Sequence, residues 1–387
     1  VKPANSVLSS YGTTIFEVMS RLAAEHGAVN LGQGFPEGLE PPVLLKSAAR
    51  ALLEDSQQYP SMMGTPALRR AVADHALRFH GLTVDPDREV MVTSGGTEAL
   101  GDCLFGLIEP GDEVVLIEPL YDSYLPIVRR AGGIARLVRL EPPEWGLPRE
   151  ALAAAFSDKT KLMIINTPMN PTGKVFDADD LAFIASLLER HDAYCVCDEV
   201  YEHLIYDGRR HVPLIGLPGM RERCLRIGSA GKTFSVTGWK VGYVTACPAL
   251  LQPVAKAHQY LTFATPPNLQ QAVAEGLASP DSYYQGLAGG LQARRDKLAN
   301  GLADIGFKVL PCYGSYFLTT DFRPLGFEGD DVEFCKHITV NAGVTAVPVS
   351  IFYQAGDVRH YARFCFAKKD EAIEEALRRL ARFFGRK

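Results

Sequence analysis

Residues 161–201 read KLMIINTPMNPTGKVFDADDLAFIASLLERHDAYCVCDEVY. The run 161–166 is short, apolar and β-branched, which suits a buried strand. Residues 178–190 carry apolar side chains at helical spacing, and 194–198 form a second apolar run that closes on a carboxylate. Strand, helix and strand in this order argue for an α/β layer architecture with a largely parallel sheet. Working outward, 89–93, 113–118, 225–229 and 241–246 have the same buried-strand character. Residues 97–107 are a further helix candidate. The segment 66–80 opens with a proline in its first turn, where a missing N–H costs little.

The last hundred residues differ. Runs at 307–310, 315–319, 343–348 and 361–365 look like strands, and 370–384 places Ile373, Leu377, Leu380 and Phe384 on one helical stripe. This is the pattern of a smaller α+β domain, expected to start near 281 after the Ser279-Pro280-Asp281 break. The first 45 residues are rich in glycine and proline and read as an arm or loop outside the sheet. The expected division is an arm belonging in part to the small domain (1–45), a large domain (46–280) and the rest of the small domain (281–387). A chain of 387 residues is long for one core and suits two.

A net charge of −5 gives no basic field for nucleic acid. Eight cysteines are scattered without a C-x-x-C pair, and Cys195 and Cys197 have no second pair to complete a tetrahedral site, so reduced thiols and no metal are expected. No apolar run reaches the roughly 18 residues of a membrane span, and the start has no signal-peptide pattern. The expectation is a soluble, cytoplasmic protein that binds neither membrane nor nucleic acid.

Polar and glycine-rich tokens fall at the carboxyl ends of the strands, where ligands bind in open α/β sheets. Thr93-Ser94-Gly95-Gly96-Thr97-Glu98 is a strand end, a glycine turn and a helix start, a junction that favours an anion such as phosphate. A plain turn capped by Thr97 is the other reading. Asn166-Thr167-Pro168-Met169-Asn170-Pro171-Thr172-Gly173 restricts the backbone around Asn170, for a ligand or only for a turn. Asp198 closes a buried strand, which is costly unless it meets a cation or caps a helix. In the stretch Ser229 to Gly242, small residues surround Lys232 and allow its amine to reach into a site. Lysine is the side chain that forms Schiff bases with carbonyls. The sequence Gly228-Ser229-Ala230-Gly231-Lys232-Thr233 imitates the end of a phosphate-binding P-loop, but Arg226 stands where that motif needs glycine.

Taken in order, Gly95-Gly96-Thr97, Tyr121, Asn170-Pro171-Thr172-Gly173, Asp198-x-x-Tyr201, Ser229-x-x-Lys232 and Gly238-Trp239-Lys240-x-Gly242 resemble class I aminotransferases of fold type I, enzymes that use pyridoxal 5'-phosphate (PLP). Residues 31–36 (LGQGFP), Gln58-Tyr59, Gly64-x-Pro66-x-Leu68-Arg69, 258–263 (HQYLTF) and 363–369 (RFCFAKK) are similar to the branch containing methionine and kynurenine (glutamine) aminotransferases. Some members of that branch cleave cysteine S-conjugates.

The resemblance implies transfer of an α-amino group from an L-amino acid to a 2-oxo acid by a ping-pong mechanism, with methionine, glutamine or aromatic, kynurenine-like donors preferred. β-Lyase and aspartate-type activities are the alternatives. It implies Lys232 as Schiff-base lysine and proton shuttle, and Asp198 on the pyridinium nitrogen. Tyr201 and Asn170 would bond the ring hydroxyl, and Tyr121 would stack on the ring. Gly95, Gly96, Thr97, Ser229 and Lys240 would bind phosphate, and Tyr59 would reach it from the partner subunit of a homodimer. Arg363 would grip the substrate carboxylate beside Gly34 and Asn170, with Tyr11 and Phe263 as pocket walls. Gly96 and Lys240 depart from the alanine and arginine frequent in the family.

Overall fold

The computed structural model describes residues 2–36 and 38–385. The first eight strands are β1 (Val29–Asn30), β2 (Val90–Thr93), β3 (Glu113–Glu118), β4 (Ile134–Arg139), β5 (Thr160–Asn166), β6 (Tyr194–Asp198), β7 (Cys224–Ser229) and β8 (Gly242–Thr245). Five more follow: β9 (Lys308–Val309), β10 (Phe317–Asp321), β11 (Val344–Thr345), β12 (Val347–Pro348) and β13 (Tyr361–Cys365).

Seven strands form the main sheet in the order β2-β8-β7-β6-β5-β3-β4. Neighbours pair in parallel except β8, which runs antiparallel to both β2 and β7. Every residue of β2, β3, β7 and β8 is buried. That is why these strands read as continuous apolar runs and not as alternating ones. The helix Ala178–Arg190 links β5 to β6, and its start is fixed by the Asp177 side chain, which accepts from the Asp180 N–H. The helix Pro66–His80 starts the same way, on Thr65, and ends at left-handed Gly81.

A second sheet, β12-β13-β10-β9, is antiparallel throughout. The short β1 pairs in parallel with β11. The first 45 residues stay outside the main sheet, as expected, but they are more than an arm or loop, since they supply β1 and a helix. Residues Ile15–Glu25 form an amphipathic helix, capped by Thr14 and burying Met19 and Ala23. Its helical spacing is masked by the flanking glycines and prolines. The edge strand β4 escaped the sequence reading for a related reason: it is mostly part-exposed and contains Arg136 and Arg139, so it lacks an apolar run. All eight cysteines are free thiols. Among the described residues no helix is long and apolar enough to cross a membrane.

The register brings one set of strand ends together. Thr93 and Ser229 both pair with Gly242, Asn166 pairs with Asp198, and Asp198 with Ile227. The carboxyl ends of β2, β5, β6 and β7 therefore open on one crevice.

Candidate active site

At one end of this crevice β2 gives way to the helix Gly95–Leu107. Gly95 sits at φ +78°, a conformation that side chains oppose, and a Cβ there would lie 3.3 Å from the Lys240 amine. Gly242 is needed for the same approach, since its Cβ would come within 2.6 Å of the Gly95 carbonyl carbon. Thr97, Ser229 and Lys240 line this end with Gly95 and Gly96. A helix N-terminus, two hydroxyls and an ammonium group make a site for a phosphate dianion.

In the middle, Asp198 ends β6 and Tyr201 follows it, with Tyr121 and Asn170 also lining the crevice. The Asp198 carboxylate is open to the crevice but enclosed by protein, and its Oδ2 accepts from the Tyr124 hydroxyl at 2.6 Å. Burial pushes its pKa up, against the Tyr124 hydrogen bond and the nearby Lys232 charge. Asn170 is held by Asn166, whose amide donates to the Asp198 carbonyl (2.9 Å) while its Oδ1 accepts from the Asn170 N–H (2.7 Å).

Lys232 lies on a single helical turn, Ala230–Thr233, directly after β7. Its amine donates to the Tyr316 hydroxyl at 3.0 Å, and that hydroxyl donates to the Gly34 carbonyl at 2.7 Å. Burial lowers the Lys232 pKa to about 8. An appreciable fraction is then the neutral, nucleophilic amine near pH 7.

At the far end Arg363 comes from β13 and is 1% exposed. It donates to Asn170 Oδ1 (2.8 Å) and to the Gly32 carbonyl (3.1 Å), and its guanidinium lies 4.0 Å from the centre of the Phe317 ring. Its Nε has no partner, and burial lowers its pKa to about 10. A cation this dry, with a donor to spare, invites a carboxylate. Gly34 is obligatory there, because a Cβ would sit 2.5 Å from the Phe317 ring.

The crevice encloses a cavity of about 340 Å³. Twelve of the residues singled out in the sequence line it: Gly34, Gly95, Gly96, Thr97, Tyr121, Asn170, Asp198, Tyr201, Ser229, Lys232, Lys240 and Arg363. Three do not. Tyr59 is 84% exposed and meets Phe263, itself exposed, edge to face at 5.6 Å. The Tyr11 hydroxyl accepts from Arg129 at 3.1 Å. The sequence reading missed Tyr124 and Tyr316, which touch Asp198 and Lys232, and the wall residues Phe16, Gln33, Asp122 and Phe317. Tyr124 stands three positions after Tyr121, and Tyr316 lies inside an anticipated strand, but neither has a motif of its own. A group with a phosphate, an aldehyde and a basic ring nitrogen fits this set: anion cup, buried amine and carboxylate lie along one cavity.

Residues 26–380 match the family model "Aminotransferase class I and II", and the chain belongs to that family. It is a PLP-dependent aminotransferase of fold type I. The structure of N-succinyldiaminopimelate aminotransferase from Mycobacterium tuberculosis is similar over 98% of this chain and 100% of that one, at 45% identity and a TM-score of 0.96. Methionine aminotransferase of Escherichia coli is 39% identical, covering 97% of both chains. Human kynurenine–oxoglutarate transaminase 1 is 38% identical, covering 93% of this chain and 94% of its own.

Proposed function

We propose that this enzyme moves the α-amino group of a neutral L-amino acid (methionine, glutamine or an aromatic, kynurenine-like donor) to a 2-oxo acid. The observation that carries the reading is the substrate end of the cavity. Arg363 is the only arginine among the described residues that line it, it lies against the rings of Phe16 and Phe317, and Phe35 also lines the cavity. One guanidinium suits one α-carboxylate, and aromatic walls suit an uncharged side chain.

When bound, PLP supplies an aldehyde that captures an amine and a ring that accepts the electron pair of the broken Cα–H bond. The residues do the rest. With the cofactor bound, Lys232 would take the proton from the substrate Cα and give it up again at the cofactor's C4′ carbon, with Tyr316 orienting the amine. Asp198 would hold the proton of the ring nitrogen. Tyr201 and Asn170 would bond the ring hydroxyl, and Tyr121 would cover the ring. Thr97, Ser229 and Lys240 would hold the phosphate over the Gly95-Gly96 turn. Arg363 fixes the substrate carboxylate beside Gly34. In this reading Tyr59, Tyr11 and Phe263 serve the site of a second copy of the chain, which accounts for their position outside the cavity.

The test is a panel of single half-reactions followed by absorbance of the bound cofactor. Methionine, glutamine and kynurenine should exceed aspartate by at least about tenfold in kcat/KM, the discrimination expected when a substrate charge lacks a partner. Faster aspartate turnover would overturn the preference. A second reading, an N-succinyldiaminopimelate donor, is supported by the relative at 45% identity, and that compound belongs in the same panel. Pyruvate released from a cysteine S-conjugate without a 2-oxo acid would instead mark β-lyase activity.

A further inference from the structure

Asp198 has one short hydrogen bond from the protein. The Tyr124 hydroxyl meets Oδ2 at 2.6 Å, while the other donor, the Val200 N–H, is 3.5 Å from Oδ1. Tyr124 is 3% exposed and is the first residue of the helix Tyr124–Arg130. Its ring meets that of Tyr121 edge to face, at 5.5 Å and 76°. One side chain thus touches both the carboxylate below the crevice and the ring that lines it. Burial and the adjacent Asp198 charge hold the Tyr124 hydroxyl well above its usual pKa, so it remains a donor. Among the influences on Asp198, this hydrogen bond is the largest opposing the burial that would protonate it.

We propose that Tyr124 is a positioning residue for transamination: it orients the Asp198 carboxylate toward the cofactor's ring nitrogen, and it seats Tyr121. The inference rests on Asp198 facing that nitrogen. A hydrogen bond to a charged acceptor in an enclosed site is among the stronger ones. Losing it leaves Asp198 easier to protonate. A neutral Asp198 no longer favours a proton on the ring, and the ring then withdraws electrons less well.

The test is Tyr124→Phe, which keeps the ring and removes only the hydroxyl, measured on holoenzyme alone and combined with Asp198→Asn. The single variant should lose about tenfold in kcat with KM changed less than about twofold, and should release PLP faster on dilution. The acidic limb of its kcat–pH profile should move to higher pH, because Asp198 must stay ionised. In the Asp198→Asn background the same change should have less than about a twofold effect, since no carboxylate remains to position. Wild-type turnover, PLP release and pH profile in Tyr124→Phe would overturn the proposal, as would an equal tenfold loss in the Asp198→Asn background. Full activity of Asp198→Asn alone would instead sink the underlying reading of Asp198.

Discussion

Asp198 ends β6 and Lys232 follows β7 by three residues; beside them Arg226 of β7 and Glu199 and Glu202 just beyond β6 build a second buried charge cluster, and the two clusters are organised in opposite ways. Arg226 on β7 donates through Nε to Glu199 at 2.6 Å and through a terminal nitrogen to Glu202. His211 adds a contact to Glu199 at 2.8 Å and His80 one to Glu202 at 2.5 Å. Arg226, Glu199 and Glu202 are all buried. Burial pushes both carboxylates toward protonation, but Arg226 and the histidines outweigh it and hold both pKa values below the ordinary range. In the crevice, by contrast, Lys232 has one hydrogen bond, to a neutral hydroxyl, and its pKa falls. The closed cluster fixes protonation states. Atoms lacking a partner occur in both, Glu199 Oε1 and His211 Nδ1 in the closed cluster and Arg363 Nε in the open one, but only Asp198, Lys232 and Arg363 face a cavity that a ligand can fill.

Lys232→Ala should separate the two clusters most sharply. Turnover should drop by at least about 10⁴-fold in kcat, since the proposed nucleophile and proton carrier go together, while the denaturation midpoint stays within a few degrees. A variant that kept its turnover would remove the contrast altogether. Arg226→Ala should do the reverse, costing about 3–5 kcal/mol of stability in urea unfolding because two buried carboxylates lose their cation. An unchanged midpoint would mean the closed cluster is not closed. Arg363→Lys keeps the charge but not the fork, and should lower kcat/KM about 100-fold, mostly through KM, in steady-state assays. The smallest effect is a pH dependence. With the Lys232 pKa lowered to about 8, the neutral amine increases as pH rises. Capture of added PLP by apoenzyme should speed up about fivefold from pH 7 to 8 and less than about twofold from 8 to 9. A rate still climbing steeply above pH 9 would put Lys232 back near an ordinary lysine.

The same contrast explains what the sequence made legible. Buried strands announce themselves as apolar runs, so β3, β6 and β13 lie where expected. The helices Pro66–His80 and Ala178–Arg190 do too, the first read from its first-turn proline and the second from its helical spacing. Asp198 stood out as a carboxylate closing a buried apolar run, and Asn170 and Lys232 as polar groups among prolines, glycines and small residues just past a strand. Tyr124 and Tyr316 did not, since a buried tyrosine looks like any core aromatic until its hydroxyl partner is located in space. Arg226 was noticed only as the residue that spoils a P-loop. An arginine inside an apolar strand was itself the sign of an internal ion cluster, but its partners are 24 and 27 residues away and no local pattern names them. The helix Ile15–Glu25 was hidden by its surroundings and not by its own spacing.

The pairing of β1 with β11 bears on how the enzyme is made. Gly32 and Arg363, 331 positions apart, meet only because residues near the beginning lie against residues near the end, with the Cys365 N–H donating to the Leu31 carbonyl at 2.7 Å. During synthesis the cup and the lysine can form while the ribosome is still working. The proposed carboxylate grip of Arg363 cannot, because the early segment must wait, unpaired, for its distant complement. A nascent chain stalled before β11 would therefore have a place for the coenzyme but nothing to seize a substrate.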